Sequence, residues 1–203
     1  ELKYLLYTVK IVCMTGKIIV ETSEYPGKGE VLVYVATDKD LKKSECFQEL
    51  DTQTGKKLSS KLALHDFKGK EGQIVTLELN DFYKYIVIIG AGSQKEFTII
   101  KWRNALANAF KTIQSMKCIQ VTIDYYEGLG TEYFEIGKHL AVSFYLANYF
   151  FDVFKSEDER KKSSRLEHLR FLVREGQKMD RKKLEEGMVL AIEPILNQKG
   201  PNN

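Results

Sequence analysis

The chain has 203 residues, of which 43% are hydrophobic, and its 31 Lys and Arg nearly balance its 28 Asp and Glu, leaving a net charge of +3. This length and composition suit one domain, or one domain with an appendage, around a buried core. The balanced charge argues against a nucleic-acid-binding surface. No apolar run approaches the ~20 residues that span a bilayer, so no membrane association is expected.

The start of the sequence and its cysteines favour a cytoplasmic protein. Residues 1–4 lack the basic and apolar segments of a signal peptide, and they also lack an initiator Met. Cys13, Cys46 and Cys118 are scattered, without the paired spacing of a cysteine zinc site. We therefore expect reduced thiols in a cytoplasmic protein.

The first part of the chain predicts strands followed by helices. Residues 4–20 are rich in Tyr, Val and Ile and predict one or two strands, and the apolar run 31–36 predicts a strand covered on both faces. Residues 41–64 predict a helix that Thr54-Gly55 breaks into two pieces.

The middle of the chain continues the alternation. Residues 74–79 predict a half-exposed strand and residues 86–89 a buried one. An apolar stripe at steps of three and four predicts a helix over 97–117. A strand over 118–123 and a helix over 131–150 come next. This order predicts an α/β fold with a mixed sheet flanked by helices.

A charge run changes the composition after residue 156. Leu166, Leu169, Leu172 and Val173 then recur at helical spacing and predict a charged helix over 157–176. With little left for it to pack against, this helix is expected to project and to invite self-association.

Several short segments, in order, carry a family resemblance. These are the strand 31–36, the motif DFKGKEG at 66–72, the strand ending in Gly90-Ala91-Gly92, the helix containing Arg103, and the segment YFFDVFKS at 149–156. Together they resemble the N-terminal domain of the leucyl aminopeptidase (cytosol aminopeptidase) family over about residues 30–156.

The resemblance implies a fold and a role. In that family the N-terminal domain is α/β and similar to macro domains, and it lacks the active site. It lies beside a catalytic domain that holds two divalent metal ions (Mn, Zn or Co) and removes N-terminal amino acids from peptides. The family's catalytic signature Asn-Thr-Asp-Ala-Glu-Gly-Arg is absent here. The resemblance thus implies a non-catalytic assembly or regulatory domain, homo-oligomeric, with no cofactor in this chain and a peptide substrate only where a catalytic domain is present.

The last residues resemble a different peptidase. Residues 184–197 are similar to a late strand of methionine aminopeptidase, in which the Glu of Ile-Glu-Pro is a metal ligand, and Glu193 matches that position. A single carboxylate does not hold a divalent ion tightly, so Glu193 would be one ligand of an incomplete site, or simply solvated.

The expected organisation is therefore a leucyl-aminopeptidase-type domain over 1–156, a charged helical linker over 157–183 and a methionine-aminopeptidase-like strand fragment over 184–203. A natural truncation, a fusion and a misjoined fragment all agree with such a chain.

Two alternative functions stay open. Gly90-Ala91-Gly92 comes directly after a strand and could cradle phosphate, as expected of a macro-like nucleotide or ADP-ribose module, although a tight turn at the strand exit also explains it. The other alternative function is that of a divergent metal-dependent aminopeptidase, acting through this chain alone.

Three further sequence features have structural interpretations as well. His65-Asp66 could be an acid/base pair, but a loop-positioning role for Asp66 suits adjacent residues better. His139 is expected to face solvent or an interface. The basic residues 160–162 predict a solvated helix face rather than a contact with an acidic partner.

Overall fold

A computed structural model of the protein describes residues 9–13, 16–22, 28–39, 44–79, 82–125, 129–148, 165–173 and 179–196. The strands are β1 Val9–Cys13, β2 Gly16–Thr22, β3 Gly29–Ala36, β4 Ile74–Glu78, β5 Tyr83–Gly90, β6 Gln120–Asp124 and β7 His168–Val173. The helices are α1 Glu45–Gln53, α2 Lys57–Leu64, α3 Ile99–Ser115, α4 Tyr133–Ala147 and α5 Arg181–Leu196, with a 3₁₀ turn at Gln94–Glu96. No helix in these ranges is long and apolar enough to cross a membrane.

The strands form one mixed sheet in the order β1-β2-β7-β6-β3-β5-β4. The five inner strands run parallel, and the edge strands β1 and β4 pair antiparallel with β2 and β5. Parallel strands need covered faces, which accounts for the uninterrupted apolar run over residues 31–36 of β3. The predicted α/β fold with a mixed sheet is confirmed.

Alternate residues of β3 show how the two faces of the sheet are covered. Val31, Val33 and Val35 belong to the larger core cluster, which includes residues of α3, α4 and α5. Leu32 and Tyr34 belong to a smaller cluster that includes residues of α1 and α2. Successive side chains of a strand point to opposite faces, so this one strand contributes to both layers.

The predicted helices in the first three quarters of the chain are confirmed. The α3 helix begins after Thr98, whose hydroxyl accepts a hydrogen bond from the Lys101 amide at 3.3 Å. In its apolar stripe, Trp102, Leu106, Phe110 and Ile113 are fully buried. Gly55, at φ +60°, separates α1 from α2 where the sequence predicted the break.

The predicted helix over 157–176 is wrong where the chain is described, because residues 168–173 form strand β7 between β2 and β6. The side chains of Leu169, Phe171 and Val173 are buried on one face of the sheet, at the two-residue period of a strand. Leu172 is buried as well, and that extra apolar position made the segment resemble a helix. Residues 157–164 and 174–176 lie outside the described residues.

Asn148, at the end of α4, connects that helix to the start of β7. Its side-chain amide donates to the carbonyl of Leu166 at 2.9 Å, and its side-chain oxygen accepts from the Leu166 amide at 2.8 Å. Asn148 is buried, so these bonds are shielded from water. They fix the chain as it re-enters the sheet.

The predicted strand over 184–197 is also wrong, since residues 181–196 form helix α5. Leu184, Met188 and Ile192 recur every fourth residue and bury in the larger core. Backbones of α4 and α5 meet closely, because a Cβ on Gly137 would collide with the Leu184 carbonyl and one on Gly187 with the Phe134 carbonyl.

The tail is therefore not a loosely attached appendage. Strand β7 is hydrogen-bonded inside the sheet, and α5 packs on α4 in the same core cluster as β3 and β6. The expected division at residues 156 and 183 does not hold for these elements. Residues 197–203 lie outside the described ranges.

Candidate functional site

The carboxyl ends of β3 and β5 meet beneath the loop that carries the DFKGKEG motif. The Ala91 amide donates to the Ala36 carbonyl at 2.8 Å, and the Asp38 amide donates to the Gly92 carbonyl at 3.0 Å. The Gly92 amide donates to the Gly69 carbonyl at 2.8 Å. Backbone groups therefore link the two strand exits to the motif loop.

Two glycines allow this close approach. Gly69 has φ +71°, and a Cβ there would lie 2.6 Å from the carbonyl oxygen of Thr37. A Cβ on Gly90 would collide with the carbonyl of Lys70. The motif DFKGKEG and the sequence Gly90-Ala91-Gly92 are thus two halves of one backbone contact.

This contact occupies the N–H groups that a phosphate cradle would need. The Gly90 amide donates to the Gln73 carbonyl at 2.8 Å, and the amides of Ala91 and Gly92 donate to the Ala36 and Gly69 carbonyls. A cradle requires N–H groups directed at the ligand. The phosphate-cradle hypothesis is wrong for these three groups, and the tight strand-exit turn is confirmed.

Gln73 completes the loop, although no sequence motif singled it out. Its side-chain oxygen accepts hydrogen bonds from the amides of Lys68 at 2.9 Å and Lys70 at 3.0 Å. In the sequence, Gln73 stands out only as a long amide side chain between a glycine turn and a strand. A side chain in that position can accept hydrogen bonds from the N–H groups of the loop.

His65 and Asp66 do not form an acid/base pair in a cleft. Both are exposed, and the Asp66 carboxylate lies 3.0 Å from the Lys68 ammonium. Asp66 has φ +46°, and its carbonyl accepts from the Gln73 side chain at 3.4 Å. Its position agrees with a role in shaping the loop.

His139 is buried on α4, with 8% of its surface exposed, so the expectation that it faces solvent or an interface is wrong. Its Nε2 lies 3.5 Å from a carboxylate oxygen of Glu135, and its Nδ1 has no hydrogen-bond partner among the described residues. Burial lowers the pKa of His139, the charges of Arg103 and Lys138 lower it further, and Glu135 opposes them. These surroundings favour the neutral form of the imidazole.

A polar patch lies on the sheet face opposite α3, across β6 and β7. A groove of about 230 Å³ runs along it, and its lining includes Gln120, Thr122, His168 and Arg170. Burial raises the pKa of nearby Tyr83, while hydrogen bonds with Thr122 and Arg170 oppose the rise. The sequence signal for this patch was polar residues at every second position of β6.

Glu193 lies on the exposed face of α5 and lines a shallow groove whose other lining residues include Glu186 and Lys182. Across the described ranges, no group of three or more His, Cys, Asp or Glu side chains is arranged to hold a metal ion. This donor set does not fit a two-metal centre, which needs several converging carboxylates. A metal-binding role for Glu193 stays a prediction.

The fold is similar to that of macrodomains and of the N-terminal region of leucine aminopeptidase. An Oceanobacillus iheyensis macrodomain with ADP matches with a TM-score of 0.60 at 8% identity, over 95% of this chain and 98% of that one. A tomato leucine aminopeptidase mutant matches with a TM-score of 0.70 at 22% identity, over 91% of this chain and 37% of that one. The latter match extends beyond residue 158 and so includes part of the tail. At these identities both matches show the fold alone.

The family follows from the sequence comparisons. The model of the cytosol aminopeptidase family, N-terminal domain, matches residues 31–158. The chain is also 30% identical over 144 residues to a probable cytosol aminopeptidase of Aquifex aeolicus (strain VF5), an alignment that covers 70% of this chain but 28% of that protein. The chain belongs to the cytosol aminopeptidase family and corresponds to its N-terminal domain, as the resemblance predicted.

Proposed function

We propose that this chain is the non-catalytic assembly or regulatory domain of a leucyl-aminopeptidase-type metallopeptidase. It would serve the removal of N-terminal amino acids from peptides without performing the reaction. The family match over residues 31–158 carries this proposal, together with the small share of the Aquifex aeolicus relative that the chain spans. The two divalent metals, Mn, Zn or Co, would belong to a separate catalytic domain.

The geometry of the sheet's carboxyl edge supports a structural role. In many α/β proteins this edge binds the ligand, whereas here the motif loop covers the ends of β3 and β5 with backbone hydrogen bonds. The same proposal includes a cytoplasmic location, which agrees with the relative's name, cytosol aminopeptidase. It also includes a homo-oligomeric state, which the family resemblance implies.

A hydrolysis assay tests the proposal. The 203-residue chain is incubated with leucine p-nitroanilide and Mn²⁺, Zn²⁺ or Co²⁺, and release of nitroaniline is followed. We expect the rate of the protein-free metal blank. Saturable, metal-dependent hydrolysis that is lost in Glu193→Gln would overturn the proposal and favour a divergent metallopeptidase.

Nucleotide binding is the second candidate, because the macrodomain fold matches nearly the whole chain. Against it, the N–H groups of Gly90, Ala91 and Gly92 are already paired. We expect a flat calorimetric titration with ADP and with ADP-ribose. A saturable heat would establish a nucleotide site elsewhere on the fold.

A further inference from the structure

Helix α5 presents an apolar outer face beside its buried one. Val189 is 40% exposed and Leu190 is 50% exposed. Together with the half-buried Phe134 of α4, they line a shallow groove of about 590 Å³, the α5 groove. Single exposed aliphatic side chains are ordinary on a protein surface, whereas several gathered in one groove mark an interaction surface.

Carboxylates bracket this apolar pair on both sides. Glu186 lies three residues before Val189 and Glu193 three residues after Leu190, so each is about 4.5 Å from the pair along the helix axis. At 3.6 residues per turn, these four residues fall on one side of the helix, within about 100°. Glu185 adds a third carboxylate to the lining. The apolar centre of the α5 groove is therefore enclosed by negative charge.

The negative charge of the α5 groove is not balanced locally. Among the described residues that line it, Lys182 supplies one ammonium against the three carboxylates. None of these carboxylates makes an ion pair within the described part of the chain. The whole chain carries a net charge of +3, so the groove is opposite in sign to the protein around it. A cleft lined by one sign of charge attracts a partner of the other sign.

These charges decide between the possible occupants. A second α5 would set carboxylates against carboxylates, and an anionic lipid surface would be repelled in the same way. An amphipathic helix with an apolar pair, and with Lys or Arg three residues before and after that pair, fits both the floor and the charges. The pattern is symmetric, so such a helix fits in either direction. Laying one apolar helix face into a groove is a common mode of recognition.

We propose that the α5 groove binds a basic amphipathic helix of another protein. Apolar side chains of that helix lie on Val189 and Leu190, and its Lys or Arg side chains lie beside Glu186 and Glu193. The apolar contact supplies affinity, and the charges exclude acidic partners. This binding goes beyond the non-catalytic role proposed above and does not depend on it.

Fluorescence anisotropy of a labelled designed peptide, titrated with the intact chain, tests the α5 groove. The peptide has about 20 residues, long enough to form a helix, and contains an apolar pair with Lys three residues before and after it. A matched peptide carries Glu in place of each Lys. We expect saturable binding of the basic peptide and a Kd roughly tenfold or more higher for the acidic one. Salt at about 0.5 M should weaken binding of the basic peptide several-fold, because it screens exposed charges.

A neutral substitution tests the apolar centre. Leu190→Gln should raise the Kd of the basic peptide roughly tenfold or more, because apolar contact is lost while the charge of the groove is unchanged. Leu64→Gln is the matched control, since Leu64 is 78% exposed on α2, and it should bind the peptide like the wild type. Circular dichroism shows that each variant is folded.

Charge substitutions test the selectivity. E186K and E193K should each raise the Kd of the basic peptide by a few fold, and the double variant E186K/E193K should prefer the acidic peptide, because the bracket then has the opposite sign. Lys182→Glu should have the opposite effect and lower the Kd of the basic peptide, since it replaces the ammonium in the lining by a further carboxylate.

Failure of the basic peptide to bind, equal binding of the two peptides, or wild-type affinity in Leu190→Gln each overturns the proposal. A wild-type dimer in sedimentation velocity that Leu190→Gln disrupts overturns it as well, because the face then belongs to a second copy. The hydrolysis assay does not depend on these results. A chain with neither activity nor peptide binding would therefore overturn the groove and leave the non-catalytic role standing.

Discussion

The carboxyl edge of the sheet and the outer face of α5 use their residues in opposite ways. At the edge, the backbone of the DFKGKEG loop contacts the ends of β3 and β5. Gly69 and Gly90 allow the close approach, and the Gln73 side chain accepts hydrogen bonds from two loop amides. On α5, which lies outside the family match over residues 31–158, aliphatic and charged side chains are exposed around one shallow groove. A family motif can thus mark a folding requirement, while exposed apolar side chains lie on a segment that the family match does not include.

The largest expected effect is at the edge. Gly90→Val drives a side chain into the Lys70 carbonyl, and we expect a loss of about 3 kcal/mol or more in the free energy of unfolding, measured with urea.

Gly55→Ala is the control for that substitution. Gly55 has a positive φ but nothing within 4 Å of an added Cβ, so only backbone strain of about 1–2 kcal/mol is expected. Equal losses in the two variants would show that the edge contact is looser than the Gly90 geometry indicates.

Gln73→Ala should have the next largest effect. It removes the oxygen that accepts from the amides of Lys68 and Lys70, and we expect a loss of about 1–2 kcal/mol by urea unfolding. Gln94→Ala, at an exposed position of the 3₁₀ turn, should stay within about 0.5 kcal/mol of the wild type. An unchanged free energy of unfolding in Gln73→Ala would mean that water accepts the hydrogen bonds of the two amides in place of the side chain.

His139 should make the free energy of unfolding depend on pH, and this effect should be smaller than the losses expected for the Gly90 and Gln73 variants. Its pKa in the folded protein is lowered by burial, by Arg103 and by Lys138 against the opposing Glu135, so the unfolded chain binds the proton more tightly. The neutral imidazole contributes fully to the free energy of unfolding above the usual His pKa of about 6.5. This contribution is lost as the pH falls from there through the lowered pKa of the folded protein.

Urea unfolding at a series of pH values measures this slope. His139→Gln should flatten it between about pH 6.5 and the lowered pKa. His65→Gln, at an exposed site, should keep it. A slope unchanged in His139→Gln would assign the pH dependence to other groups.

The smallest expected effect on folding is on α5. Leu190→Glu should change the free energy of unfolding of the monomer by no more than about 0.5 kcal/mol, because Leu190 is half exposed. Thermal unfolding at low protein concentration measures it. A large loss would show that this face belongs to the core and would remove the contrast between the two regions.

Sequence patterns predicted the middle of the chain well because each element there carries a clear period. The stripe of α3 and the apolar run of β3 each point to one structure. The segment containing Leu166, Leu169 and Leu172 fitted two periods, and the choice depends on β2 and β6, which offer hydrogen bonds on both sides. In α5, the strand-like resemblance of the Ile-Glu-Pro step obscured the four-residue spacing of Leu184, Met188 and Ile192.

The α/β class, the family and the glycines of the motif loop could all be predicted from the amino-acid sequence, and the family match over residues 31–158 agrees with the predicted range of about 30–156. These depend on local periodicity and on residue types with few substitutes. Three features needed the folded chain to be seen: β7 lies inside the sheet, α5 packs on α4, and the amides of Gly90, Ala91 and Gly92 are already paired. Each of these depends on partners distant in the chain, because a hydrogen bond or a buried surface is a property of two segments and is not written in either one alone.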